Sequence, residues 1–408
     1  MTALHEFVAA NQPAPVIKHP SGWEPSVTWN GTEGVLCTGP QDTEPDRAIW
    51  DNLIADWGLN PDVTEVVNGS VQVRAWDANI GNGEVRRFKY YRATIRTRQA
   101  ADDRADIEDL IKEVTRKKPL KTTAVDTEFA GALVALLSDW QIGKSEGGGS
   151  ETTVERIKGS VLNLLAHIRY LKSVGRMPSA LYLIGLGDMV EGCDGHYAMQ
   201  TFQTDLDRRS QKRIVRRVLL WMVDQLLPLN IPIVLGAVPG NHGENRRDGK
   251  AFTTFTDNDD LACFEEVAEI LAVNPERYGN VHIPSGAVAI DGHDLTMTLD
   301  VAGVSCGFAH GHQMRGGGAG AQAKVEKWWA GQALGRQRVA SAQLLFTGHL
   351  HHFVVSEATG RTWFQAPAQD GGSAWWTSTS GQHSSAGMLT VGVGTGYGPR
   401  GWGDLQIL

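Results

Sequence analysis

The sequence contains few cysteines and no close pair of them. Its four cysteines, Cys37, Cys193, Cys263 and Cys306, lie far apart in a chain of 408 residues. Cysteine zinc ribbons and redox dithiols need closely spaced pairs, so both kinds of site are excluded. This usage is typical of a protein in a reducing compartment, and we expect a cytoplasmic location.

Long apolar runs are also absent. Nowhere do about 18 consecutive apolar residues occur, which is the length that a membrane-spanning helix needs. The first residues, MTALHEFVAANQPAP, have neither the basic start nor the apolar run of a signal peptide. We therefore expect a soluble protein without a membrane partner.

An excess of positive charge is missing as well. The chain has 38 Lys and Arg against 46 Asp and Glu, a formal net charge of -8. Proteins that coat nucleic acid by bulk electrostatics usually carry a basic excess, so any nucleic-acid contact here must be local. What the sequence does have is an apolar fraction of 41%, which suffices for a large core and more than one folding unit.

The N-terminal region predicts a small α+β module over residues 1–97, beginning with a loop or extended arm up to about residue 46. Apolar residues at helical spacing, followed by a glycine, predict a helix over residues 46–58. Alternating patterns predict strands over residues 70–76 and 88–96. Residues 98–127 are highly charged and predict a linker with a short helix over residues 107–114.

Residues 128–408 show short apolar runs that alternate with longer amphipathic segments. This alternation predicts a layered α/β domain. The predicted helices cover residues 153–171, 205–227 and 260–272. The predicted strands cover residues 133–137, 180–185, 231–235, 286–290, 295–300, 304–309, 344–347, 352–357 and 388–393.

Polar side chains that can bind metals follow five of these apolar strands. They occur in the segments LLSDWQIGK, LIGLGDMVEG, VPGNHGE, GFAHGH and LLFTGHLHH. Ligands of α/β sheets bind beyond the carboxyl ends of strands, so these residues should converge on one crevice. Carboxylate and amide oxygens with imidazole nitrogens suit Mn, Fe or Zn, and two adjacent cations can promote phosphoryl displacement. The residues are Asp139, Gln141, Asp188, Asn241, His242, His310, His312, His349 and His351.

The ordered motifs resemble those of the calcineurin-like metallophosphoesterases, whose pattern is DxH, GD, GNH, a lone His after a strand, and GHxH. The match runs from about Phe129 to the C-terminal strands. The resemblance implies an α/β fold, in which a layered β-sandwich is flanked by helices. It also implies two divalent metal ions, between which a bridging hydroxide attacks phosphorus in line.

The resemblance further implies a role for each matched residue. The first metal would take Asp139, Gln141, Asp188 and His351, and the second would take Asp188, Asn241, His310 and His349. Asp188 would bridge the two ions. His242 would protonate the leaving oxygen or stabilise the transition state. His312 would support a neighbouring ligand, face the substrate or serve a structural role.

Gln141 departs from the family pattern, because the family has His at this position of DxH. An amide oxygen is a neutral and weaker ligand than imidazole, so the first metal could be held loosely. Manganese is the metal we expect, with Fe, Zn or Mg as alternatives. A second consequence is possible: a degenerate site that binds without catalysis.

Basic residues near these motifs suggest the substrate. Arg209, Lys212, Arg213 and Arg216 share one face of a predicted helix, and Arg246 and Arg247 follow the GNHGE motif. Arginines can clamp phosphate oxygens, so these side chains could hold a nucleic-acid backbone. The alternative is that the helix arginines pair with Asp205, Asp207, Asp224 and carboxylates of the linker.

His196 follows the GD motif and invites one further comparison. In the nuclease subunits of SbcCD-type DNA repair exonucleases, a histidine soon after this motif assists cleavage. His196 could do the same, although its spacing differs and a capping or surface role is equally consistent with the sequence.

The sequence thus predicts a two-metal nuclease acting on DNA or RNA, closest in pattern to phage-encoded phosphoesterases and SbcCD-type subunits. The alternatives are a phosphodiesterase or phosphomonoesterase for small molecules such as cyclic nucleotides, and a non-catalytic binding protein. No GxxxxGKS motif of an ATPase occurs. A separate ATPase partner is therefore a further expectation, and the resemblance to the repair nucleases implies a homodimer as another.

Overall fold

The chain divides into two units, Met1–Arg98 and Gln99–Leu408, in the computed structural model. The boundary falls next to residue 97, where the sequence predicts the end of the N-terminal module. The described residues are 19–30, 33–41, 43–61, 64–67, 69–81, 84–97, 103–120, 127–247, 249–283, 295–314, 320–373, 377–378, 381 and 383–408.

The first unit combines an antiparallel sheet with one helix among its described residues. Its strands are β1 (Ser26–Trp29), β2 (Glu33–Cys37), β3 (Thr64–Val66), β4 (Gln72–Gly81) and β5 (Glu84–Thr97). The long strand β5 pairs with β2, β3 and β4. Helix α1 (Arg47–Asp56) begins at Asp46, whose carboxylate accepts from the Ile49 amide. The predicted helix and both predicted strands are confirmed.

Helix α2 (Asp103–Arg116) lies within the segment that the sequence assigns to a charged linker. In the structure it belongs to the second unit, because Leu110 and Val114 are buried in the core of that unit. Its few apolar residues recur at helical spacing, which allows one face to be buried, and the carboxylate of Asp106 is buried as well.

The second unit begins its first sheet with four parallel strands: β6 (Ala132–Leu137), β7 (Leu181–Gly185), β8 (Ile233–Ala237) and β11 (Val281–His282). Strands β17 (Leu389–Val393) and β18 (Trp402–Ile407) extend the sheet in antiparallel fashion beyond β6. The order over the described strands is β11-β8-β7-β6-β17-β18. A short hairpin, β9 (Arg246–Arg247) with β10 (Lys250–Ala251), stands apart from it.

The second sheet of this unit has the order β12-β13-β14-β16-β15. Its strands are β12 (Thr296–Val301), β13 (Val304–Ala309), β14 (Leu344–Thr347), β15 (Val354–Ala358) and β16 (Arg361–Gln365). Strands β13, β14 and β16 run parallel to one another. The carboxyl ends of β13 and β14 therefore open at the same edge of this sheet.

Alternate residues of β6 enter two different cores. Leu133 and Leu137 pack with the helices, whereas Val134 and Leu136 join a core that also holds Phe308 of the second sheet. Because successive side chains of a strand point to opposite faces, the first sheet is buried on both sides.

The described helices of the second unit are α3 (Gly149–Ser173), α4 (Arg208–Leu226), α5 (Asp259–Ala272), α6 (Pro275–Tyr278) and α7 (Ala321–Leu334). Short 3-10 turns occur at Glu146–Gly148, Gln200–Phe202, Leu227–Leu229, His312–Met314, Arg338–Ser341 and Thr395–Tyr397.

The architecture is therefore a mixed α/β fold, as the alternation of strands and helices predicts. Helices α3, α4 and α5 match their predicted ranges to within a few residues. Strands β16 and β18 and helix α7 have no counterpart in the sequence-based prediction. The strand predicted over residues 286–290 lies outside the described residues. No helix within the described residues is long and apolar enough to cross a membrane.

Candidate metal centre

The metal-capable side chains follow the carboxyl ends of strands in both sheets of the second unit. Asp139 and Gln141 follow β6, Asp188 follows β7, and Asn241 comes after β8. In the other sheet, His310 follows β13, and His349 and His351 follow β14. The parallel direction of β6, β7 and β8 brings the first group to one edge, as expected for strand-end ligands.

Asp188, His310 and His349 form the tightest cluster. Each offers one nitrogen or carboxylate oxygen, and these atoms all lie within 4.8 Å of one another. The His310 Nε2 atom is 2.9 Å from Asp188 Oδ2 and 3.1 Å from Asn241 Oδ1. His310 Nδ1 lies 2.7 Å from the carbonyl oxygen of Leu186, to which it can donate a hydrogen bond. The Nε2 lone pair and two acceptor oxygens then face one point, an arrangement that suits a divalent cation.

The electrostatics of this cluster favour bound positive charge. Burial by itself lowers the pKa of His310, but the carboxylates of Asp188 and Asp139 outweigh it and raise that pKa to about 9. Burial and the adjacent His310 lower the pKa of His349 to about 4, so its ring stays neutral. A neutral imidazole is the form that binds a metal ion.

A second group of ligands surrounds Asp139, whose side chain is fully buried. Its Oδ2 atom accepts from the Ser138 hydroxyl and from the His349 amide at 3.0 Å. Its Oδ1 atom has no hydrogen-bond partner among the described residues. His351 Nε2 lies 3.2 Å from that oxygen, without hydrogen-bonding geometry. His351 thus faces this buried oxygen, and a cation shared by the two groups would stabilise the negative charge of the carboxylate.

Gln141 lies at the same place, with its amide already engaged. Its Oε1 atom accepts from the Lys144 ammonium at 3.2 Å, and its Nε2 atom is 3.3 Å from His242 Nε2. Lys144 in turn pairs with the buried carboxylate of Asp370. Sequence reasoning missed both Lys144 and Asp370.

The ligand loops carry backbone strain. Asp139, Gln141, Asp188, His349 and His351 have φ angles between 42° and 73°, in the left-handed region that L-residues avoid. They are half of the ten described non-glycine residues with positive φ. Such a conformation costs about 1–2 kcal/mol per residue, so its repetition at the ligands indicates a functional requirement rather than a packing accident.

Two motif glycines are required by close approach of the loops. A Cβ atom at Gly240 would overlap the amide nitrogen and Oδ1 of Asp188. A Cβ atom at Gly187 would lie 2.6 Å from the Gly240 backbone and 2.9 Å from His310 Nδ1. The GD and GNH motifs therefore place glycine where two ligand loops touch each other.

Asp260, another residue that sequence reasoning missed, ties these loops together. This buried carboxylate of the first turn of α5 accepts from the amides of Asp188 at 2.8 Å, Met189 at 2.9 Å and Gly240 at 3.0 Å. Burial and the neighbouring Asp188 carboxylate raise its pKa. The run Asn258-Asp259-Asp260 at a helix start was the available signal, although it predicts a cap rather than a clamp.

We expect Asp260→Ala to destabilise the second unit strongly. The substitution leaves four buried amides, those of Asp188, Met189, Val190 and Gly240, without this acceptor, which costs about 3 kcal/mol or more of the free energy of unfolding. Urea unfolding measures this loss. The adjacent Asp259→Ala is the matched control, since Asp259 pairs with Arg208 and Lys212 rather than with the ligand loops. Equal losses of stability in the two variants would show that Asp260 does not hold the ligand loops together.

His242 and His196, the two predicted catalytic histidines, stack face to face. Their ring centroids are 4.1 Å apart and the ring planes differ by 3°. His242 Nδ1 lies 2.8 Å from the Glu191 carbonyl oxygen and 3.3 Å from Glu191 Oε2, while its amide donates to Asp188 Oδ1 at 2.8 Å. His196 Nδ1 is 3.4 Å from Asn241 Nδ2. The structure therefore brings both rings to the ligand cluster.

The surroundings of the two rings shift their pKa values in opposite directions. Burial lowers the pKa of His242, but the carboxylates of Glu191 and Asp188 dominate and raise it to about 10. Burial, together with the charges of His242 and Arg246, lowers the pKa of His196 to about 3. A stacked pair with one protonated and one neutral ring avoids direct charge repulsion. Glu191, three residues beyond Asp188, was not singled out from the sequence.

The arginines predicted to hold substrate fall into separate groups. Arg216 is fully buried, and its guanidinium pairs with Asp106 and Glu266 at 3.3 and 2.8 Å. Its charge is used inside the protein, which leaves Arg216 no access to a substrate. Arg213 pairs with the same Asp106 carboxylate at 3.0 Å but stays partly exposed. Arg209 is half-buried on the same helix.

The remaining predicted substrate residues lie close to the histidines. Arg246 donates to the Gly195 carbonyl at 3.4 Å and pairs with Glu244 at 2.9 Å. The side chain of Arg247 lies outside the described part of the structure. The ring of His312 is 5.4 Å from that of His310, and burial and His310 lower its pKa to about 3. Its buried Nδ1 atom makes no hydrogen bond to any described residue.

Comparisons with known proteins add structural likeness only. No protein-family model and no curated protein matches the chain. Vacuolar Protein Sorting 29 from Cryptosporidium parvum is 15% identical, over 65% of this chain and 86% of that one, with a TM-score of 0.30. A novel archaeal phosphodiesterase is 13% identical, over 68% and 99%, with a TM-score of 0.28. A predicted phosphoesterase from Streptococcus pneumoniae is 10% identical, over 64% and 83%, with a TM-score of 0.27. TM-scores this low carry no argument about function, which must come from the residues themselves.

Proposed function

We propose that the chain is a metal-dependent phosphodiester hydrolase of the calcineurin-like type, and that its substrate is a nucleic acid. The observation that supports this most directly is the convergence of the buried Asp188 and His310 with the half-buried His349, with Asn241 beside them. Hard oxygens and neutral imidazoles at strand ends are the ligands of catalytic divalent cations.

Two positions for cations fit the residues. Asp188, Asn241, His310 and His349 would hold one, and Asp139 with His351 would hold the other, next to Asp188 and Gln141. When bound, the cations would neutralise phosphoryl oxygens and make water a stronger nucleophile at neutral pH. The mixture of oxygen and nitrogen ligands is compatible with Mn²⁺, the metal that we propose, with Fe, Zn or Mg as alternatives.

His242 would supply the proton for the leaving oxygen. Its Nδ1 atom lies at the Glu191 carbonyl, so the ring is oriented with Nε2 toward Gln141 and the ligand cluster. A proton held at Nε2 could pass to the departing sugar oxygen of a phosphodiester. His196 would position this ring by stacking on it.

Arg246 is the described side chain that we propose to contact the phosphate backbone. Arg246 lies next to the His196 loop, where a flanking phosphate would pass. One observation favours the second candidate, a small-molecule phosphodiesterase. Three arginines of helix α4, Arg213, Arg216 and Arg217, all pair with the Asp106 carboxylate, and an arginine paired in this way is less available to a phosphate. A homodimer, an ATPase partner, a phage origin and a cytoplasmic location stay predictions.

An Mn²⁺-dependent cleavage assay separates the candidates. Labelled single- and double-stranded DNA, RNA, a nitrophenyl phosphodiester and a nitrophenyl phosphomonoester are offered side by side. We expect cleavage of a polymer. Cleavage of the small esters alone would support the second candidate, and no cleavage by metal-bound protein would support the non-catalytic alternative.

The Arg246→Gln variant tests the phosphate contact. We expect a higher KM for the polymer and a slope of log binding constant against log salt that is smaller by about 1, because one phosphate contact is lost. Hydrolysis of the small ester should not change. The exposed Arg338→Gln is the control. An unchanged polymer KM and salt slope would contradict a role of Arg246 in binding.

A further inference from the structure

Lys144 places a buried positive charge at one of the two cation positions. Its side chain is 11% exposed, and its ammonium contacts both the Gln141 amide oxygen at 3.2 Å and the Asp370 carboxylate. The oxygen that Gln141 could offer to a cation is therefore already bound by an ammonium group. A cation on the same oxygen would meet a like charge at close range.

The Lys144 ammonium is held there by a network rather than by a single contact. The Asp370 carboxylate, only 3% exposed, also accepts from the Gly372 amide at 3.1 Å and lies 3.7 Å from His351 Nδ1. The Asp370 amide donates to the Asp139 carbonyl at 3.1 Å. Moving the ammonium away would leave Asp370 buried without its principal counter-charge, which is unfavourable. The Asp370 carboxylate thus keeps the Lys144 ammonium beside this position even when the contact with Gln141 is broken.

The oxygens of the other position are engaged differently. Asp188 Oδ1 accepts from the His242 amide at 2.8 Å, and Asp188 Oδ2 and Asn241 Oδ1 lie 2.9 and 3.1 Å from His310 Nε2, which is itself a candidate ligand. These ligands include one buried carboxylate, that of Asp188, whose Oδ2 atom faces the His310 ring. The two positions therefore differ in how their oxygens are engaged as well as in ligands, because only the Gln141 oxygen accepts from an ammonium group in the contacts given above.

We propose that Lys144 makes the two cation positions unequal. The position of Asp188, Asn241, His310 and His349 fills first and holds its cation tightly. The position of Asp139 and His351 fills only at higher free cation concentration, when the Lys144 ammonium gives up the Gln141 oxygen. This inference rests on the proposed function, and it implies that activity responds to the free concentration of the second cation.

A titration with Mn²⁺ tests the inference without any substrate. Metal content after dialysis, calorimetry and electron paramagnetic resonance report the number of ions, their affinities and the coupling of two adjacent ions. In the unmodified protein we expect one ion retained after dialysis, a second ion bound at least about 10-fold more weakly, and a coupled spectrum only once the second ion binds.

Lys144→Met should raise the affinity for the more weakly bound Mn²⁺ ion about 10-fold and leave the affinity for the tightly bound ion unchanged. Lys158→Met, at an exposed lysine paired with Glu155, should behave as the unmodified protein. The double variant Lys144→Met with Asp370→Asn removes the ammonium without exposing a new carboxylate to the cation. The double variant should also reduce the difference in Mn²⁺ affinity between the two positions. It replaces the single variant in the test if Lys144→Met does not fold.

The inference would be overturned if the unmodified protein bound two Mn²⁺ ions with equal affinity. It would also be overturned if the difference in affinity between the two positions were unchanged in both Lys144 variants. Either result would leave the proposed function intact. No Mn²⁺ bound at either position would overturn the proposed function itself, and this inference with it. The experiment therefore distinguishes a failure of this inference from a failure of the proposed function.

Discussion

Asp188→Asn is expected to remove nearly all hydrolysis and to weaken metal binding at both positions. Asp188 is buried, lies 2.9 Å from His310 Nε2, and accepts the His242 amide. Asparagine keeps the size of the side chain and tolerates the left-handed backbone at φ 54°, but it removes the negative charge between the cations. Cation catalysis contributes several kcal/mol, and each 1.4 kcal/mol is about tenfold, so turnover should fall about 10³-fold or more.

Steady-state hydrolysis and metal analysis measure the Asp188→Asn effect together. Asp194→Asn is the matched control, because Asp194 is an exposed carboxylate of the same loop. We expect the control to bind metal and to turn over as the unmodified protein does. Activity within tenfold of normal in Asp188→Asn would show that this carboxylate does not organise the centre.

His242→Ala is expected to lower turnover about 10²–10⁴-fold while the metals stay bound. The substitution removes the imidazole that faces the ligand cluster but keeps the backbone amide that donates to Asp188 Oδ1. The ligand geometry therefore survives, and the loss is confined to proton transfer and charge stabilisation. A fall in kcat with normal metal content is the expected signature.

His196→Ala and His282→Ala complete this experiment. His282 is an exposed histidine on β11, and its removal should have no effect. Removal of His196 takes away the stacked ring and should lower kcat less than removal of His242 does. A large loss in His196→Ala together with normal turnover in His242→Ala would reverse the two roles.

Much of the fold could be predicted from the sequence, because the second unit is built from short apolar strands and amphipathic helices whose periods are local. The candidate ligands could be predicted for the same reason, since each follows directly after a strand in a glycine-containing motif. Gly240 illustrates this: only glycine allows the GNH loop to touch Asp188. Strand β16 was missed because its burial comes from its position beside β14, which its own residues do not reveal.

The charge partners could not be predicted. The sequence favoured Arg216 as a phosphate contact, yet the structure buries it against Asp106, 110 residues earlier in the chain. The hypothesis that these arginines pair with linker carboxylates describes Arg216 better, but the carboxylate belongs to a helix packed in the core. Helical spacing shows which side chains share a face, and it does not show what covers that face.

The sequence by itself determined the chemical types and the order of the ligands, because strand ends and their glycines are specified by neighbouring residues. Only the tertiary structure decided which buried charge meets which: Asp260 with the Asp188 amide across 72 residues, and Asp370 with Lys144 across 226. The physical reason is that a buried ionic or polar group must find a partner wherever the folded chain places one. Distance along the sequence does not limit that choice.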